Sequence, residues 1–239
     1  MKRKDGRGAQ EPRKTQISHN IQEYAEGSVL IEVGSTKIIC AVSIENTVPT
    51  FLRSTGKGWI TAEYSMLPRS THTRTQRESS NRPKGRSQEI QRLIGRSLRA
   101  ITDLTMIGER TIYIDCDVLQ ADGGTRTAAI TGSYVALCKA FDKMILEKNL
   151  EQNPLKSQLA AISVGIVQNN LLLDLCYEED SIADVDMNIV MTNNHEIIEI
   201  QGTAEQSPFS INTANEMIKL AASGVDYLVD IQTEALTNN

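Results

Sequence analysis

Aromatic residues are scarce in this chain, 4% of 239, so few side chains are available for nucleic-acid bases to stack on. No stretch approaches the roughly 20 apolar residues of a membrane-spanning helix, and no membrane partner is expected. The basic start, Met1-Lys-Arg-Lys-Asp-Gly-Arg7, has no apolar run behind it, so no secretory signal is expected. The four cysteines, Cys40, Cys116, Cys138 and Cys176, are far apart and lack metal-ligand pairing. Three of them sit in apolar stretches, which fits reduced thiols in a cytoplasmic protein. His19, His72 and His195 are isolated, without metal-ligand spacing, and His195 is expected to decorate a turn. No serine sits in a nucleophile-elbow sequence. The Gly-x-x-x-x-Gly-Lys-Ser/Thr spacing of a nucleotide P-loop is absent as well.

The length, with 40% hydrophobic content, suits one large domain or two small fused ones around a real core. The net charge of −5 conceals segregation. Residues 69–99 hold nine basic residues, among them Arg69, Arg74, Arg77, Arg86, Arg92, Arg96 and Arg99, against two acids. Residues 140–239 hold four basic residues against sixteen acids. A local basic stripe can attract a polyanion despite an acidic average, because screening confines the interaction to about a Debye length. A solvated charged loop and helix would read the same way.

Residues 29–33 and 37–43 flank Gly34-Ser35 and predict a hairpin. Residues 58–66 predict another strand. The polar, arginine-rich stretch 69–86 has no apolar period and predicts a long loop. Ser87 is a candidate cap for a helix over about 88–103, with Ile90, Leu93, Ile94, Leu98 and Ile101 as its buried face. Arg92, Arg96 and Arg99 share another face and need acids from elsewhere or a polyanion. Residues 111–118 alternate, with Ile112, Ile114, Cys116 and Val118 on one side and Asp115 and Asp117 on the other. Gly123-Gly124 then opens a helix to about 148. The second half predicts strands at 159–167 and 170–177 joined through Asn169-Asn170. Further strands at 185–192 and 195–201 precede helices at about 211–222 and 225–236, separated by Gly224 as a C-cap. Two strand-rich blocks, each ending in helices, indicate an α+β fold of two similar halves, here a single domain over 1–239 with halves of roughly 1–150 and 151–239.

Two segments carry chemistry. Gln120-Ala-Asp-Gly-Gly-Thr-Arg-Thr127 lies between a strand and a helix, whose N-terminus offers unpaired N–H groups and a positive dipole end. Glycines let the backbone close on an anion, Thr125 adds a hydroxyl, and Arg126 can grip phosphate with two hydrogen bonds. An ordinary Asp-Gly-Gly turn is the alternative. The second segment, Glu178-Glu-Asp180 with Asp184-Val-Asp186, holds five acids in nine residues. Such crowding requires solvation, protonation or a cation. Asp186 and Asn188 should share one strand face, with Met187 and Ile189 on the other. Asp180 and Asp186 are candidates to hold a divalent ion or donate a proton. A solvated acidic loop is the other possibility.

The chain resembles the ribonuclease PH family of phosphate-dependent exoribonucleases along nearly its whole length. The resemblance rests on Asp5-Gly-Arg7, Glu26-Gly-Ser-Val-Leu30, Gly58-Trp-Ile-Thr-Ala-Glu-Tyr64, Met66-Leu-Pro-Arg69 and Thr71-His-Thr-Arg74. Further matches are the helix Gln88 to Arg99, the turn Gln120 to Thr127, Asp186-Met-Asn188 and Gln201-Gly-Thr-Ala-Glu205. It implies a ribonuclease PH-like fold of the ribosomal protein S5 domain 2-like type, and a homohexameric ring built as a trimer of dimers. It implies trimming of the 3′ ends of tRNA precursors, with inorganic phosphate as co-substrate and nucleoside 5′-diphosphates as products. Phosphate ligands would fall on Arg86, Gly124, Thr125 and Arg126, and RNA-binding arginines on Arg69, Arg74 and Arg77, with Arg96 and Arg99 extending the path. Asp180 and Asp186 would serve catalysis and Mg²⁺. Two departures stand out. The family usually shows Leu-Asp-Leu-Asp-Tyr where this chain has Leu173-Asp-Leu-Cys176-Tyr177, and the loop at 79–86 differs in composition. A non-catalytic RNA-binding ring subunit is the alternative, with Cys176 as the first sign of a decayed site. A hydrolytic nuclease would need a denser carboxylate site and no phosphate pocket.

Overall fold

The computed structural model describes residues 3–78, 85–205 and 207–237. Positions 79–84, with Arg82 and Lys84 of the basic run, lie outside the described residues. The first half forms β1 (Thr15–His19), which the sequence did not predict, β2 (Gly27–Val33), β3 (Thr36–Glu45), β4 (Trp59–Met66) and β5 (Thr111–Gln120). They make one sheet in the order β1-β2-β3-β5-β4. The expected hairpin joins β2 and β3, with Val33 opposite Thr36 and Gly34 at a φ of 56°, a value that favours glycine. β4 runs parallel to β5 and so needs a crossover. That crossover contains helix α1 (Gly85–Ala100) and the single turn α2 (Leu104–Ile107). Ile90, Leu93, Ile94, Leu98 and Ile101 of the crossover are buried, as are Ile112, Ile114, Cys116 and Val118 of β5.

Helix α3 (Thr125–Leu146) buries sixteen of its 22 residues, and a helix apolar on all sides belongs inside a fold rather than on it. It packs on β2 and β3 and also on the second sheet. That sheet runs β7-β6-β8-β9, from β6 (Leu159–Val167), β7 (Asn170–Leu173), β8 (Val185–Thr192) and β9 (Ile197–Ala204), antiparallel throughout. Helix α5 (Ile211–Thr237) packs on β6 and β8. Leu159, Ala161 and Val190 join the core of the first half. The fully buried Gln232 ties α5 to both halves, donating to Thr131 O at 3.0 Å and Leu159 O at 2.9 Å. The result is an α+β fold whose halves share α3.

Three local expectations are corrected. Ser87 does not cap α1; the helix already includes Gly85, and Ser87 is buried within it. Packing of that side chain outweighs its capping preference. Gly224 does not end a helix, since α5 runs through it. A Cβ there would lie 2.5 Å from Ile162 Cδ1 and 2.9 Å from Leu173 Cδ1, so glycine serves close helix–sheet packing. β7 ends at Leu173, because Asp174 turns at a φ of 54° and the one-turn helix α4 (Tyr177–Asp180) follows. The four cysteines are free thiols, with Cys40, Cys116 and Cys138 buried.

Candidate active site

The turn from β5 into α3 and the acidic segment of the second half face each other across an open cleft of about 920 Å³. Gly124, Thr125, Arg126 and Arg86 line it on one side, and Asp180, Asp186, Asn188 and Glu205 on the other. Gly123 and Gly124 have φ values of 73° and 65°, which residues with side chains rarely adopt. A Cβ on Gly123 would lie 2.7 Å from Leu175 O, so this glycine is where the backbones of the two halves meet. Thr36 fixes the turn from below: its hydroxyl donates to Gly123 O at 2.8 Å and accepts from Asp122 N at 2.9 Å.

Gly124 offers no side-chain cap to α3, and the first turn carries no acid. Its N–H groups and the positive end of its dipole are left uncapped beside the cleft, where an anion would be favoured. Tyr64, buried in β4, donates its hydroxyl to Thr125 Oγ1 at 2.8 Å. Burial pushes the Tyr64 phenol up, which keeps it a donor. With its oxygen accepting from Tyr64, Thr125 has its own proton free for the cleft. Arg126 is 19% exposed, with Nη1 3.7 Å from Glu89 Oε1 and donating to Gln201 Oε1 at 3.1 Å. Both contacts use Nη1, so the rest of the guanidinium fork makes no hydrogen bond or ion pair among the described residues. Arg86, at the start of α1, is exposed at the cleft wall.

On the acidic side, Asp186 and Asn188 share the cleft face of β8, whereas Met187 and Ile189 are buried behind it. Burial pushes the Asp180 carboxyl above its ordinary range, while Arg126, Arg86 and Arg13 pull it back. Burial also raises Asp186, and the nearby Asp180 and Glu205 add to it against Arg126. The two carboxyls are thus close enough to sense each other, and both sense Arg126. Their all-oxygen chemistry suits Mg²⁺. Among the described residues, no three His, Cys, Asp or Glu side chains are grouped to hold a metal. Asp180 and Asp186 alone leave a shell for water and substrate phosphate to complete, which is how Mg²⁺ is commonly bound.

The remaining arginines lie elsewhere. Thr71, His72 and Thr73 reach the cleft wall, but Arg69, Arg74 and Arg77 are exposed on the loop outside it. Arg69 Nη1 donates to His72 O at 2.5 Å. Arg77 lies near Asp117, where its charge partly offsets the rise that burial imposes on that carboxyl. Arg96 pairs with Glu199 of β9 at 2.6 Å, an acid from the other half. Arg99 donates to Ile60 O at 2.7 Å and stacks 4.2 Å over the Trp59 ring. His195 sits in the β8–β9 turn at a φ of 60°, 2.7 Å from Asp226. Sequence reasoning missed Tyr64, Glu205 and Arg13 as participants. Tyr64 and Glu205 sit inside recognised motifs, whereas Arg13 carries no sequence signal.

Residues 11–141 match the model of the first domain of the 3′ exoribonuclease family, and residues 157–224 match its second domain. The fold is also similar to solved structures. Rrp46 from rice (Oryza sativa) superposes with a TM-score of 0.80 at 20% identity, covering 98% of this chain and 100% of that one. A chain of the Archaeoglobus fulgidus exosome with RNA bound to the active site gives 0.78 at 23% identity, over 96% and 92% of the two chains. A chain of an archaeal exosome core gives 0.77 at 21% identity, over 97% and 91%. With both family domains present in order, the chain belongs to the 3′ exoribonuclease family and has its ribonuclease PH-like α+β fold.

Proposed function

We propose that this chain is a phosphorolytic 3′→5′ exoribonuclease that trims the 3′ ends of tRNA precursors and releases nucleoside 5′-diphosphates. The observation that carries the reading is the cleft itself, where an uncapped helix N-terminus from one half opposes a carboxylate pair from the other. Inorganic phosphate sits against the α3 N-terminus, with the Thr125 hydroxyl and the Arg126 guanidinium as donors. Arg86 neutralises the last phosphodiester of the RNA. A phosphate oxygen attacks that phosphorus in line, and the bond to the departing 3′ oxygen breaks. The 3′ oxygen takes a proton from Asp180 or Asp186, whose raised carboxyls suit a proton donor. The other of these two carboxylates would hold Mg²⁺, which would supply neutralisation of the phosphate charges. Positioning and electrostatics account for most of the acceleration in such transfers. Arg69, Arg74 and Arg77 guide the RNA, and Arg96 and Arg99 extend that path once their present contacts yield. One P–O bond is exchanged for another at the same phosphorus, so the reaction runs backwards when diphosphates are abundant.

A second reading is favoured by the exosome chains among the similar folds: a non-catalytic RNA-binding subunit of a ring, made of copies of this chain or shared with others. The first reading expects a homohexamer in the cytoplasm. Among the described residues no helix is long and apolar enough to cross a membrane. One experiment separates the readings. Labelled RNA is incubated with Mg²⁺, with and without orthophosphate, and the released nucleotide is identified. Phosphorolysis gives diphosphate only with phosphate, and Arg126→Ala abolishes it while RNA still binds. Bound but uncut RNA supports the ring subunit, and monophosphate release in both conditions indicates hydrolysis.

A further inference from the structure

The segment preceding β1 places three guanidiniums against two carboxylates of the second half. The Arg3 side chain is fully buried and grips Glu179 twice, Nε to Oε1 at 2.7 Å and Nη2 to Oε2 at 2.6 Å. It also donates to Leu173 O and Asp174 O, each at 2.8 Å. Arg13, 5% exposed, grips Asp174, Nε to Oδ2 at 2.9 Å and Nη2 to Oδ1 at 2.6 Å. Its Nη1 donates to Asp122 O at 2.6 Å. Arg7 lies between them, 3.6 Å from Asp174 and 3.8 Å from Glu179.

The two grips end at opposite sides of the cleft. Asp122 O opens the turn that carries Gly124, Thr125 and Arg126, and a Cβ on Gly124 would lie 2.7 Å from Arg13 Nη2. Glu179 is the neighbour of Asp180, and its carboxylate also accepts from Cys176 N at 3.1 Å. A single helical turn such as α4 is too short to fix its own orientation. The group that grips Glu179 therefore aims Asp180.

Stability alone gives little reason for so many buried ions. Buried pairs regain little of their lost hydration, and apolar replacements of like volume are often as stable. What a bidentate guanidinium–carboxylate pair does supply is a fixed distance and plane. Here one short segment holds the phosphate turn through Arg13 and the acid-bearing turn through Arg3.

We propose that Arg13 and Arg3 are positioning residues of the cleft, and that segment 3–13 sets the spacing between bound phosphate and the proton donor. The proposal rests on the phosphorolytic reading and assigns its two arms to different constants. The test compares wild type with Arg13→Lys and Arg3→Lys, since lysine keeps the charge but cannot form the fork. Diphosphate release gives kcat and KM for orthophosphate, anisotropy gives the Kd for RNA, and circular dichroism reports the fold. Arg13→Lys should raise the phosphate KM at least five-fold with kcat changed less than two-fold. Arg3→Lys should lower kcat at least five-fold with the phosphate KM within two-fold. RNA Kd should stay within two-fold in both. Asp174→Asn and Glu179→Gln carry the two arms if a lysine variant does not fold. Folded variants with wild-type constants overturn the proposal, as does an equal loss in both arms matching the unfolded fraction. A wild type that makes no diphosphate brings down the functional reading instead. The brace is then judged by calorimetric binding of orthophosphate, which Arg13→Lys must weaken at least five-fold and Arg3→Lys must leave unchanged.

Discussion

Removing one hydroxyl from Tyr64 should weaken phosphate without weakening RNA. In the native chain that hydroxyl donates to Thr125 Oγ1 at 2.8 Å, and Tyr64 is 2% exposed. Tyr64→Phe keeps the ring and its packing. The Thr125 hydroxyl loses its donor and can spend its proton on another acceptor, so it no longer faces the anion by default. A net hydrogen bond of this kind contributes about 1 kcal/mol. For a domain of this size that predicts a Tm lower by roughly 2–4 °C. If the same free energy is lost from phosphate binding, the KM for orthophosphate rises about five-fold. Diphosphate release measured against phosphate at saturating RNA gives that KM, and anisotropy with labelled RNA gives the other affinity. An unchanged phosphate KM in a variant whose Tm has fallen would show that the bond is structural only. An equal drop in both affinities would show that Thr125 does not face phosphate.

Other perturbations separate the remaining parts. Asp186→Asn should stop turnover yet stabilise the free protein by about 1 kcal/mol at pH 7, as relief of strained functional sites often does. The sign follows from linkage: the folded carboxyl is raised above its ordinary 3.8, so its ionisation costs stability at higher pH, and the gain in thermal melts should vanish below about pH 3. Arg74→Ala should weaken RNA binding and reduce its salt slope by about one, with the phosphate KM unchanged. Gly224→Ala should cost about 1–3 kcal/mol through overpacking, seen in chemical denaturation, because its new methyl meets Ile162 and Leu173.

Features written in period and turn chemistry were legible in the sequence. The β2–β3 hairpin, the alternation of β5, the buried face of α1 and the glycine turn before α3 all follow from residues near one another in the chain. What failed was local preference overruled from a distance. Ser87 looks like a cap until the core takes its side chain, and Gly224 looks like a helix stop until Ile162 and Leu173 press against it. The site shows the same division. Gly124, Thr125 and Arg126 reach the cleft wall as one motif, and the Asp186–Asn188 face follows from strand alternation. Arg13 reaches Asp174 across 161 positions, a distance over which spacing carries no information. The basic stripe was half legible: its clustering is evident, but only the fold reveals that Arg96 has an acid from β9 and that Arg99 lies on Trp59.

Cys176 bears on whether this site has decayed. In the family pattern an aspartate stands there, and its loss would matter most if it faced substrate. In this fold the cleft wall takes Tyr177, Asp180, Ser181 and Asp186 from the segment but not Cys176. The aspartate two residues earlier, Asp174, is retained and holds both oxygens against Arg13. Position 176 caps α4: its N–H donates to Glu179 and its side chain faces the Glu179 N–H, a role that an aspartate or a cysteine can fill without reaching the cleft. Burial pushes the Cys176 thiol up, so it adds no negative charge near neutral pH. The substitution therefore removes a carboxylate from beside an already crowded acidic segment, while the cleft keeps Asp180, Asp186 and Arg126. A decayed site would be expected to lose the groups that are costly to keep, and the raised carboxyls of Asp180 and Asp186 are such groups. Cys176→Asp gives the measurable form of the argument: it should change kcat by less than about three-fold, an effect below 1 kcal/mol. A variant that gained a hundred-fold would mean that the missing carboxylate belongs to the machinery.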